Sequence, residues 1–120
     1  MSRRMSCSLT IDAVRNRTKT VTRRHVDTWK DLKPGDRLTL IEKGMGLPKG
    51  AKHVVLAEVD VIFVDTIWLS PINSTELAAE GFPHMTANEF ISMWLNSHSY
   101  QRWQNPNHVM VRRIEWRYFG

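Results

Sequence analysis

The chain has 120 residues, 42% of them hydrophobic, and a formal charge of +5. That is one domain over residues 1–120 with a single modest core, and its basic balance favours an anionic partner such as a phosphate backbone. A lone cysteine, Cys7, excludes an internal disulfide and any cysteine-based zinc cluster.

The opening stretch MSRRMSCSLTIDAV is basic, but serines, Thr10 and Asp12 break the apolar run that a secretory signal needs. No segment approaches the ~20 apolar residues of a membrane span, so a cytoplasmic protein without a membrane partner is expected. Within CSLTIDAVRNR, Thr10 is placed to cap a short helix carrying Ile11 and Val14 on one face. The helix runs into TKTVTRR, whose β-branched residues favour an extended strand.

In DLKPGDRLTLIE, Pro34 and Gly35 supply a turn, and Leu38 and Leu40 alternate with Thr39 and Ile41 as in a half-buried strand. KGMGLPKGAK, with three glycines and three lysines in ten residues, reads as a basic loop. HVVLAEVDVIFVDTIWLS is apolar and β-branched, broken by Glu58, Asp60 and Asp65, and predicts one bent strand or two consecutive ones. NSTELAAEG pairs Asn73 with Glu76 in a capping arrangement and stops at Gly81, a natural left-handed helix end. TANEFISMWLNS repeats the device with Thr86 and Glu89 and sets Phe90, Met93 and Trp94 on one face. HVMVRRIEWRYF closes the chain as a final strand. The sum is an α+β domain, most economically a small β-barrel or strongly curved sheet with two to three short flanking helices.

The segment RTKTVTRRH, residues 17 to 25, is the densest in chemistry. In a regular strand Thr20, Thr22 and Arg24 share one face and Lys19, Val21 and Arg23 the other. If Val21 faces the core, the Thr20, Thr22 and Arg24 row faces a cleft where it could bond a polar ligand. The same pattern also describes an exposed edge strand charged against aggregation. A desolvated lysine can take the proton of a threonine hydroxyl, but Lys19 reaches Thr22 only if it lies just before the strand or at a bulge. Glu80 sits at the carboxyl end of its helix, poorly placed against the helix dipole, which hints at a role for its carboxylate; an exposed glutamate is the plainer reading.

The five histidines show no metal-ligand spacing, and KGMGLPKG lacks the ending of a phosphate-binding P-loop. Neither a metal nor another cofactor is expected. Trp103, beside Tyr100 and Arg102, could stack on a base or simply pack.

The ordered set of features resembles the ASCH domain, a branch of the PUA-like superfamily of small β-barrels linked to RNA. Its signature is a short helix followed by glycine-x-lysine-x-x-(glutamate or threonine)-x-arginine, and Lys19, Thr22 and Arg24 occupy the last three fixed positions. LKPGD, AAEGF and TANEFISMWL also resemble the family. The signature glycine is replaced by Arg17, so the helix-to-strand turn is expected to be made differently and to carry an extra cation at the pocket mouth. Similarity to the small bacterial N4-acetylcytidine amidohydrolases implies Thr22 as nucleophile, Lys19 as its base, Glu80 as the carboxylate supporting the lysine, and Arg24 as a cation for a substrate oxygen. The implied partner is a nucleoside, nucleotide or RNA. The alternative is an RNA-binding module gripping backbone and base through Arg17, Arg23, Arg24 and Trp103, with a ribonuclease as a weaker third reading.

Overall fold

The computed structural model describes residues 3–44, 46–98, 100 and 105–119. In chain order its elements are β1 (Arg3–Ser6), α1 (Ile11–Arg15), β2 (Val21–His25), β3 (Arg37–Ile41), β4 (Val55–Trp68), α2 (Ser74–Glu80), α3 (Ala87–Ser97) and β5 (Met110–Tyr118), with a 3-10 turn at Pro106–His108 before β5. The strands form one sheet in the order β1-β3-β4-β5-β2. Only β1 and β3 run parallel; the other neighbours are antiparallel. The sheet curls into a half-barrel whose edge strands meet across a seam, where Arg24 Nη2 on β2 donates to the Ser6 carbonyl on β1 at 2.7 Å. Among the described residues no helix is long and apolar enough to cross a membrane.

The helices and four of the strands lie where the sequence places them; β1 does not. Its residues RRMS show no alternation beyond the buried Met5. They become a strand because the parallel partner β3 supplies the ladder, Met5 opposite Leu40 and Ser6 opposite Ile41. β3 itself is buried on both faces, Thr39 and Ile41 as well as Leu38 and Leu40, so the half-buried expectation fails. The long apolar run is one strand of 14 residues. It bends where the pairing to β5 skips from Val61 to Phe63, leaving Ile62 as an extra residue in the ladder.

Asn73 accepts from the Glu76 amide at 2.8 Å and starts α2, while Thr86 and Glu89 form a reciprocal capping box on α3. Thr10 precedes α1 without a capping bond from its side chain. It is buried instead beside Gly81, where a Cβ would come within 3.0 Å of Thr10 Cγ2 and 3.1 Å of Ala13 Cβ. Gly81 at φ +98° therefore ends α2 and lets α1 pack directly on that end.

Two apolar clusters result. One, inside the curled sheet, gathers Met5, Cys7, Val14, Leu38, Leu40 and Trp116 among others. The second gathers Leu69, Leu77, Phe90, Trp94, Leu95 and Val111 under α2 and α3. The polar site lies between them.

Candidate active site

Lys19 comes just before β2 rather than within it, the condition under which it can share a site with Thr22. The turn delivering it passes through Arg17 at φ +65°, in the left-handed region that favours glycine. The turn at Arg17 thus holds a non-glycine residue in the left-handed region, and the Arg17 side chain leaves the site: it is exposed, with its guanidinium 5.6 Å from the Tyr118 ring centroid. The Lys19 peptide is held from three directions. Its amide donates to the Ala13 carbonyl at 3.0 Å, and its carbonyl accepts from the Trp116 indole at 3.1 Å and the Tyr118 hydroxyl at 2.5 Å.

From this anchored peptide the side chain enters a cavity of about 240 Å³. Lys19 is 3% exposed, Thr22 4% and Glu80 3%, and all three line the cavity. The Lys19 ammonium donates to the Glu80 main-chain carbonyl at 2.6 Å and lies 3.5 Å from its Oε1. The other carboxylate oxygen of Glu80 receives Arg23 Nη1 at 2.8 Å. Arg23 also reaches Glu76 at 2.6 Å, and Glu76 is clamped by Arg113 through both carboxylate oxygens at 2.7 and 3.0 Å.

These distances decide the electrostatics. The tighter partner of Glu80 is Arg23, so its charge is already met, and Lys19 is left with the longer contact. Burial pushes the Lys19 pKa below the ordinary lysine range, opposed by the nearby Glu80 charge. The bond to the Glu80 carbonyl needs only an N–H, so a neutral amine retains it. The Glu76 carboxyl is held down to about 2, first by its bonds from Arg113 and then by Arg23 against the effect of burial.

The Thr22 hydroxyl oxygen accepts from Arg24 Nε at 3.1 Å, leaving its own proton to be given away. Among the described residues no hydrogen bond joins Lys19 to Thr22; the two face one cavity, each oriented by its own partner. Arg24 lines the same cavity. Arg23 lines it too, but is committed to Glu80 and Glu76 rather than free to grip a ligand. Thr20 is absent from the lining: its amide donates to Ala79 at 2.8 Å and its carbonyl accepts from the Trp116 amide at 2.9 Å. Trp103 falls outside the described residues.

The plain readings of this segment do not hold. β2 is an edge strand by sheet order, yet Val21, Thr22 and Arg23 are all buried, and Glu80 is not an exposed helical glutamate. Sequence reasoning missed the rest of the wall: Cys7 from the end of β1, and Phe90, Met93, Trp94 and His98 from α3. Only the i, i+4 spacing of Trp94 and His98 at the end of the helix offered a signal. Burial raises the Cys7 thiol pKa, which keeps it protonated despite the neighbouring Arg24.

The architecture is shared with solved structures. The hypothetical protein PH0355 superposes with a TM-score of 0.64 at 15% identity, covering 99% of this chain and 100% of its own. A DUF984 protein from Enterococcus faecalis V583, EF3133, gives 0.65 at 15% identity over 92% of this chain and 70% of its own. An ASCH domain from Lactobacillus crispatus JV V101 gives 0.57 at 9% identity over 97% of this chain and 79% of its own. The chain has an ASCH-type fold. At these identities the likeness is one of backbone, and no family model and no curated protein matches the sequence. In this ASCH-type fold the half-barrel brings the carboxyl end of β1, the start of β2 and the end of α2 around one cavity, closed on its far side by α3.

Proposed function

We propose that the protein hydrolyses the N4-acyl amide of a modified cytosine, in a nucleoside, nucleotide or RNA. The observation that carries this reading is the buried Lys19 ammonium, partnered by Glu80 and lowered in pKa, opening onto the same cavity as Thr22. A volume of about 240 Å³ lies just under the ~300–1,000 Å³ of pockets for drug-sized ligands, which suits one heterocyclic base rather than a stacked pair.

The chemistry then follows the residues. Thr22 Oγ attacks the acyl carbonyl carbon while its proton passes to the neutral Lys19 amine, directly or through one water. Arg24, fixed by Thr22 and the Ser6 carbonyl, is the cation placed to meet charge developing on the carbonyl oxygen. Collapse breaks the C–N bond, and the departing N4 takes a proton from the Lys19 ammonium. Lys19, neutral again, activates water to hydrolyse the threonyl ester and release the carboxylic acid. Glu80 and Arg23 hold the amine in place and take no proton.

The test is release of cytidine from N4-acetylcytidine, followed chromatographically for wild type, Thr22→Ala and Lys19→Ala. Turnover should fall by at least a hundredfold in each variant, the usual scale for removing a nucleophile or its base. Undiminished turnover in both variants sinks the assignment. Binding of RNA that weakens steeply with salt, without hydrolysis, would instead make the chain a PUA-like binding module.

A further inference from the structure

His98, the residue that closes α3, lines the same cavity as Lys19 and Thr22. Its ring lies flat on Trp94, with centroids 3.9 Å apart and planes 14° from parallel. Its Nδ1 is 2.8 Å from the Trp94 carbonyl. A carbonyl oxygen only accepts, so Nδ1 must carry the proton and Nε2 is left with a bare lone pair. Nε2 points nearly oppositely across the ring and has no protein partner among the described residues. Burial lowers the pKa of the ring and the Arg24 charge acts in the same direction; the bond to the Trp94 carbonyl and the Glu80 charge oppose them without reversing the shift, in keeping with a neutral imidazole. The structure thus leaves an uncharged acceptor on a residue that lines the cavity.

Depth decides what that acceptor meets. The reacting amide has to reach Lys19 and Thr22, both almost fully buried, so the base enters first. A cavity of about 240 Å³ filled by the base leaves the sugar at the rim. The rim is built from half-buried His98 and exposed Ser97, Ser8 and Leu9. A bare imidazole nitrogen repels a phosphate oxygen, which also only accepts, and attracts a hydroxyl.

We propose that His98 Nε2 accepts a hydrogen bond from a ring hydroxyl of the ligand's sugar, selecting a ribonucleoside with that hydroxyl unphosphorylated. The inference rests on the cytosine reading for the identity of the base, but it concerns binding rather than bond cleavage. Trp94 is the positioning residue: its ring orients the imidazole, its carbonyl fixes the tautomer, and its indole is itself held by the Arg23 carbonyl at 2.9 Å.

Calorimetric titration of the full chain with cytidine and with 2′,3′-dideoxycytidine tests it without requiring turnover. Wild type should bind cytidine about tenfold more tightly, the scale of one hydrogen bond. His98→Phe keeps an aromatic ring to stack on Trp94 and should erase the difference by weakening cytidine alone, while His98→Gln, which retains an acceptor, should restore part of it. Equal affinity of wild type for the two nucleosides overturns the proposal, as does undiminished discrimination in His98→Phe or failure of wild type to bind either one at millimolar concentration. Discrimination without hydrolysis of N4-acetylcytidine would sustain this inference and defeat the proposed reaction. Hydrolysis without discrimination would do the reverse.

Discussion

Replacing Lys19 by methionine should leave the protein folded, and replacing Glu80 by methionine should not leave it comparably stable. Lys19 contributes a bond to the Glu80 carbonyl and a 3.5 Å contact to its carboxylate, while its ammonium is desolvated. Methionine fills a similar volume. The lost hydrogen bond costs about 1–3 kcal/mol, relief of the desolvated ammonium offsets part of it, and Arg23 at 2.8 Å still meets the Glu80 charge, so the net change is small. Glu80 is different because it faces two buried cations, Lys19 and Arg23. Its removal leaves the Lys19 ammonium without its carboxylate and Arg23 with Glu76 alone, and costs about 3–5 kcal/mol. Urea denaturation resolves the contrast: with m of about 1.5 kcal/mol/M, the two variants should differ in midpoint by about 2–3 M. The pH dependence adds a sign. The folded pKa of Lys19 lies below its unfolded value, so the cost of burying the ammonium is complete below the folded pKa and disappears as pH rises toward the unfolded value near 10.5. Wild type should therefore gain stability relative to Lys19→Met across that alkaline window. Equal destabilisation by the two substitutions would show that the ammonium is a structural tie, and the reasoning that makes it a poised base would fail.

Glu76 should govern the acid limb: with its folded pKa near 2 against an ordinary 4.5, its contribution is present above 4.5 and is lost as pH falls toward 2. Acid titration of Glu76→Gln, followed by circular dichroism, should show a flatter loss through that window; an unchanged slope contradicts the clamp by Arg113 and Arg23. Gly81→Ala combines a positive φ with contacts of 3.0–3.1 Å to Thr10 and Ala13 and should cost about 2–3 kcal/mol, visible as a fall in Tm. Arg17→Gly relieves about 1 kcal/mol of left-handed strain but adds unfolded-state freedom and loses the Tyr118 contact, so its stability should stay within about 0.5 kcal/mol of wild type. Its KM for N4-acetylcytidine should not move, because the side chain lies outside the cavity. A rise in KM would put Arg17 back at the mouth.

What the sequence discloses and what it withholds divide along physical lines. Capping residues act within four positions, so Asn73, Gly81, Thr86 and Glu89 located α2 and α3 from local chemistry. The strand β1 has no such local signal; Arg3–Ser6 becomes a strand only beside β3, more than thirty residues on. Burial of Lys19, Arg23 and Glu80 is likewise invisible one residue at a time, since the carboxylate that meets both cations lies about sixty positions away. The resemblance pointed to Lys19, Thr22 and Arg24 within one segment and to Glu80 at the distant end of α2, and all four line the cavity. It was silent on Cys7 and His98, which enter the cavity from separate elements.

The Arg24 clip across the seam bears on colloidal behaviour as well as chemistry. β1 and β2 are the two free margins of the sheet, the places where another chain could add a strand. By spanning from β2 to the Ser6 carbonyl, Arg24 turns those margins toward one another. An alanine at this position, made to remove a candidate oxyanion contact, would also unfasten them. Loss of activity in such a variant has to be read together with light scattering, for a sample that has begun to add strand to strand reports on its edges before it reports on its active site.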